Sequence, residues 1–167
     1  MKNIVLIGMP GSGKSTFGKR LAACLGRTFI DCDDFIEERE QKTIPELFAR
    51  GEDHFRQAET RAVMALAQRD GLVIASGGGV IKREDNIRVL RKNGVILFID
   101  RAAEDIAGDV DVSRRPLLAE GPEKLYLLYK ERIAAYRAAA DRIIQNRGTE
   151  DAVLEALVHL VRNEFTP

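Results

Sequence analysis

The sequence is poor in the residues on which redox and metal-cluster chemistry rests. Two cysteines, Cys24 and Cys32, stand without CxxC spacing, and only two histidines are present, so neither a zinc site nor a redox pair is indicated. The expectation is a reduced, cytoplasmic chain with buried thiols. Net charge is absent too. The 26 basic and 26 acidic residues cancel, which argues against nucleic acid or an acidic membrane surface as a partner and leaves anion binding to local clusters. Long apolar runs are missing: the first run ends at Gly8, short of a signal peptide or a membrane span. No repeat, low-complexity tract or linker interrupts the chain. What is present is ordinary for a globular protein: 167 residues, 45% hydrophobic and 31% charged. That length fits one domain, residues 1–167, and buries about 70% of the unfolded surface, while the charge balance is compatible with a monomer.

Ile4–Ile7 is continuously apolar, β-branched except for Leu6, and closed by Gly8, as suits a strand buried on both faces. Similar runs recur at Thr28–Cys32, Leu72–Ala75, Val95–Ile99 and Arg142–Gln145. Helical periodicity fills the intervals at Ser15–Leu25, Glu52–Arg69, Arg83–Lys92, Glu123–Ala140 and Glu150–Asn163. Strands alternating with helices predict right-handed crossovers and a five-stranded parallel sheet between two helical layers, an α/β fold. Gly26, Gly71 and Gly94 fall where helices should end. Only Gly108–Pro122 breaks the rhythm. Its irregular composition suits either a lid or a passive surface loop, and the adjacent Arg114 and Arg115 favour a lid that handles phosphate.

Gly8-Met9-Pro10-Gly11-Ser12-Gly13-Lys14-Ser15 fits G-x-x-x-x-G-K-[ST], between a strand and a helix, as a phosphate loop requires. Backbone N–H groups in such a loop converge on phosphate, and the following helix N-terminus favours anions. Lys14 supplies a charge at the β/γ bridge, and Ser15 a hydroxyl ligand for Mg²⁺. A guanine-reading NKxD is lacking, which argues against a GTPase switch. Asp100 is followed by Arg101 rather than Glu, so an ATPase glutamate is lacking as well, and Asp100 is expected to cap a helix before Ala102.

On the acceptor side, Asp31-Cys32-Asp33 closes the second strand. Residues two apart share a strand face, so both carboxylates can look toward the phosphate loop while Cys32 points away. One would support Mg²⁺ and the other take a proton from a hydroxyl, with Asp34 capping the next helix; a solvated strand end is the plainer alternative. Ser76-Gly77-Gly78-Gly79 ends the third strand, and three glycines suggest a ligand lying against the main chain. Arg56 and Glu59 are i, i+3 neighbours, either a held guanidinium or a solvated pair.

Together these segments resemble the shikimate kinases: GMPGSGKST, DCD at Asp31–Asp33, GEDHFRQAE at Gly51–Glu59, SGGG at Ser76–Gly79, RRPLL at Arg114–Leu118 and ERIAAY at Glu131–Tyr136. The resemblance implies a P-loop kinase with a mobile lid over approximately residues 108–122 and acceptor-binding helices over approximately 33–62. It implies an ATP-dependent transfer to the 3-hydroxyl of shikimate in aromatic amino-acid biosynthesis. Gly11, Ser12, Gly13, Lys14, Ser15 and Thr16 would hold ATP, with Arg115 of the lid. Ser15 and Asp31 would hold Mg²⁺. Asp33 would be the base, with Lys14 and Arg115 catalytic, and shikimate would lie against Asp33, Arg56, Gly77, Gly78, Gly79 and Arg132. The family's adenine-packing arginine is replaced at Gly108, which leaves that contact to another group, Arg147 being available. A gluconate-type sugar-acid kinase would share the loop but not the triple glycine or the FR motif. A non-catalytic nucleotide-binding regulator would not need Asp33, Arg56 and Arg132.

Overall fold

The computed structural model describes residues 1–108 and 121–165. Five strands, β1 (Asn3–Ile7), β2 (Thr28–Asp31), β3 (Leu72–Ala75), β4 (Gly94–Asp100) and β5 (Arg142–Gln145), form one parallel sheet in the order β2-β3-β1-β4-β5. Helices fill the intervals: α1 (Lys14–Leu25), α2 (Cys32–Glu40), α3 (Ile44–Ala49), α4 (Glu52–Ala67), α5 (Glu84–Lys92), α6 (Ala103–Ala107), α7 (Pro122–Ala139) and α8 (Glu150–Glu164), with a 3-10 turn at Val80–Lys82. The α/β expectation stands. Among the described residues no helix is long and apolar enough to cross a membrane.

β1 is central and wholly buried, and successive side chains leave it on opposite faces. Val5 and Ile7 enter one core with Leu66 of α4, Leu90 of α5 and Tyr136 of α7; Ile4 and Leu6 enter the other with Leu21 of α1 and Leu157 of α8. Each such side chain contributes about 1.5–3 kcal/mol on burial. This two-sided core makes the sheet rigid and places every β-to-α turn along one edge.

Three expectations need correction. Gly26 does cap α1, left-handed at φ 64° with its N–H on Ala22 and Ala23 carbonyls, but α4 ends at Ala67 with Gln68 and not Gly71 as its cap, and Gly94 caps nothing. It opens β4, where a Cβ would lie 2.7 Å from the Leu90 carbonyl oxygen. Asp33 is not on a strand: β2 stops at Asp31, which caps α2 by accepting from the Asp33 and Asp34 N–H groups. Asp31 therefore takes the capping role assigned to Asp34. Of the thiols, Cys32 is buried, and that burial pushes its pKa up, whereas Cys24 is exposed. The buried stripe of α1 is Phe17, Gly18, Leu21 and Ala22, and Cys24 falls outside it.

Candidate active site

The chain leaves β1 at Gly8, where a side chain would strike the Ile99 carbonyl oxygen at 2.6 Å. Gly13, at φ 104°, then turns it into α1. Lys14 folds back over this turn, its Nζ donating to the Gly8 and Met9 carbonyls at 2.8 Å each. The ammonium is thus fixed at the mouth of the loop with its stem buried. Ser15 donates to Asp31 Oδ2 at 2.5 Å, while Asp31 Oδ1 accepts the Asp33 N–H at 2.9 Å. One carboxylate therefore joins the first turns of α1 and α2, and two helix N-termini converge on a single region. Ser15 and Asp31 supply only oxygen, the donor set that suits a hard cation such as Mg²⁺.

The residues expected to hold the acceptor stand on α2, α4 and α7 and on the turn after β3. Arg56 is 6% exposed, with Nη1 on Glu59 Oε1 at 3.0 Å, Nη2 on Glu52 Oε1 at 3.3 Å, and its Cζ 5.0 Å from the Phe55 ring centre. Of the two possibilities open from spacing, the held guanidinium is the one observed. Glu59 is fully buried, and desolvation raises its pKa against the pull of Arg56. The glycines of β3's terminus give way to these groups. A Cβ on Gly77 would lie 2.7 Å from Glu59 Oε2, one on Gly78 2.7 Å from Pro10, and one on Gly79 2.3 Å from both terminal nitrogens of Arg56. The main chain is bare because the site's own side chains lie against it.

From α7, the Tyr136 hydroxyl donates to the Gly78 carbonyl, and its ring stacks on Phe98. Burial pushes this phenol up to about 12, so it stays a donor. Tyr136 went unassigned in the sequence, although its place one turn after Arg132 put it on the same helix face. Arg132 itself is 4% exposed, and its Nη2 has no hydrogen-bond partner among the described residues.

Sequence reasoning missed two further residues. Arg101, after β4, donates from Nη1 to the Gly11 carbonyl at 3.0 Å, and Asn146, after β5, donates from Nδ2 to the Ser12 carbonyl at 2.8 Å. Their signal was position, since both follow strand ends on the ligand-binding edge. Asp100 caps no helix; it is buried and accepts from Tyr129 at 3.2 Å and from Gln145 at 3.3 Å. Arg147 is exposed, and Asn146, Gly148 and Glu150 line the cavity there instead.

A cavity of about 420 Å³ connects these parts. Gly11, Gly13, Lys14, Ser15, Thr16 and Asp31 line it together with Asp33, Arg56, Gly77, Gly78, Gly79 and Arg132. Ser12 lies buried behind the loop, its hydroxyl without a partner among the described residues. Arg115, with the rest of the expected lid across 109–120, lies outside the described residues.

The shikimate kinase family model matches residues 10–162. A shikimate kinase from Clostridium botulinum is 49% identical over 98% of this chain and 99% of its own length. One from Clostridium beijerinckii is 52% identical over 87% of each. Among solved structures, the Acinetobacter baumannii shikimate kinase in complex with shikimate superposes with a TM-score of 0.91 at 34% identity, covering 99% of this chain and 96% of that one. The chain belongs to the shikimate kinase family.

Proposed function

We propose that this chain transfers the γ-phosphate of ATP to the 3-hydroxyl of shikimate, working as a cytoplasmic monomer. One observation carries the acceptor assignment. Two guanidiniums, Arg56 and Arg132, line the same cavity as Lys14, and the buried Nη2 of Arg132 has no hydrogen-bond partner among the described residues. A buried donor without an acceptor costs about 1–3 kcal/mol, and a substrate carboxylate relieves that cost. Arg56 is held by Glu59 and Glu52, so its fork is oriented before the acceptor arrives.

Asp33, on the first turn of α2, is assigned as the base. The acceptor hydroxyl attacks the γ-phosphorus, its proton passes to the Asp33 carboxylate, and the bond to the β–γ bridging oxygen breaks to release ADP. Lys14 meets charge building on that bridging oxygen. Ser15 and Asp31 would hold Mg²⁺, which supplies charge neutralisation of the phosphates. Tyr136, through Gly78, holds the glycine turn still while the acceptor lies against it.

Release of ADP from ATP, followed with shikimate, with gluconate and with no acceptor, tests the proposal. Turnover that depends on shikimate is expected. Equal turnover with gluconate, or ADP release that ignores the acceptor, refutes it.

A further inference from the structure

Phosphate loops aim their N–H groups inward, and so turn some carbonyls outward, where each needs a donor. Two consecutive carbonyls of this loop, those of Gly11 and Ser12, take side-chain donors from distant strand ends, Arg101 and Asn146. The Gly11–Ser12 peptide is held at both ends, since the Ser12 N–H donates to the Met9 carbonyl at 3.1 Å. The next peptide matters more. All peptides among the described residues are trans, so the Gly13 N–H points opposite to the Ser12 carbonyl. With Asn146 holding that carbonyl, the Gly13 N–H is directed away from Asn146.

Asn146 is itself well fixed. Its own N–H donates to the Asp100 carbonyl at 2.8 Å, extending the β4–β5 ladder one step past the strand ends. The Asp100 carboxylate accepts from Gln145 and Tyr129, which steadies the same corner. Asn146 also packs on Gly13, where a Cβ would lie 3.1 Å from its Nδ2. The loop is therefore clamped from the β4–β5 side of the sheet onto a rigid ladder.

We infer that Asn146 and Arg101 are positioning residues for the nucleotide: Asn146, by holding the Ser12 carbonyl, fixes the direction of the Gly13 N–H that receives phosphate, and Arg101, by holding the Gly11 carbonyl, fixes the loop backbone that leads into it. The inference rests on the nucleotide-binding part of the function proposed above. Asn146 is the more informative of the two because it is neutral, so its effect on a phosphate comes through the backbone and not through direct charge attraction.

ADP binding to the full chain, measured by titration calorimetry with Mg²⁺, tests it without an acceptor. Asn146→Leu, which keeps the bulk and removes the donor, and Arg101→Met should each weaken ADP binding about fivefold. Arg101→Lys, which retains a donor, should restore most of the loss. In turnover assays KM for ATP should rise by the same factor, with KM for shikimate held within about twofold. Unchanged ADP affinity in both variants overturns the inference. So does a loss shared equally by ADP and shikimate, the signature of general loosening. Thermal unfolding is followed in parallel, and the Arg101 pair of variants decides the matter should Asn146→Leu not fold. A wild-type chain that ignores shikimate would refute the proposed reaction while leaving the ADP comparison intact.

Discussion

Gly79→Ala is the sharpest perturbation of the acceptor side. The backbone there has φ −96°, so alanine meets no conformational barrier. Its methyl group, however, would sit 2.3 Å from Nη1 and Nη2 of Arg56 and 2.4 Å from Cζ. The guanidinium must move, and it has little room, with Phe55 beside it and Glu59 and Glu52 holding its nitrogens. Displacing it forfeits one charged grip on the substrate carboxylate, about 1.5–3 kcal/mol. That corresponds to a rise in KM for shikimate of roughly 10- to 150-fold. Stability should fall as well, since Glu59 Oε1 loses its buried partner, by about 1–3 kcal/mol and a few degrees in Tm. ATP affinity should not change, because the three atoms nearest a Cβ on Gly79 all belong to Arg56, whereas Pro10 of the phosphate loop lies against Gly78. Steady-state kinetics with both substrates varied, beside a melting curve, measures all three. A shikimate KM within twofold of wild type would refute the claim that Arg56 grips the acceptor.

Asp33→Asn should cut kcat by roughly 10²-fold or more with ADP affinity retained, as loss of a general base predicts; undiminished turnover would remove Asp33 from that role. Arg132→Ala should raise KM for shikimate by about 2–3 kcal/mol of lost binding and leave ATP affinity unchanged, measured by the same two-substrate kinetics. Asp31→Asn keeps an α2 cap but loses a charge, so the Mg²⁺ concentration for half-maximal rate should rise about tenfold with Tm little changed; a large fall in Tm would show capping to be the main role. Glu59 has a folded-state pKa above its ordinary value of 4.5, because burial opposes its charge. Its contribution to stability is therefore complete below 4.5 and lost as pH rises through the higher folded value. Glu59→Gln, which cannot titrate, should flatten that decline in a series of melting curves; parallel curves for the two proteins would contradict it.

The phosphate loop could be read from sequence because its information is contiguous: Gly8 to Ser15 specify the turn, the ammonium and the helix start within one short stretch. Leu72–Ala75 was equally plain, since burial on both faces leaves an uninterrupted apolar run that matches β3, while Arg142–Gln145 matches β5 although that strand is mostly exposed and only its Ile143-Ile144 centre is apolar. The strand-to-helix switch at Asp31 was harder. An Asp-x-Asp reads as an extended pair until one sees that the first carboxylate accepts the N–H groups beyond it. Burial of the Arg56–Glu59 pair was undetermined for a different reason. The spacing is the same for a solvated pair, and the deciding fact is the missing side chain at Gly79, far along the chain. Arg101 and Asn146 reach the loop across 90 and 134 residues, a proximity created by sheet order alone. Asp100 resembled a cap locally, yet its partners, Tyr129 and Gln145, lie on elements much later in the chain.

On the proposed assignment the acceptor pocket draws Asp33 from α2, Arg56 from α4 and Arg132 from α7, three cavity-lining residues on segments far apart in the chain. On that assignment a fragment lacking any of the three should not hold the acid, and capture of the acid should report an intact fold. The acid in turn acts as a strap across those helices: at a hundredfold excess over its Kd it adds about 2.7 kcal/mol to global stability. Loss of substrate should thus leave the protein easier to unfold, by that same margin.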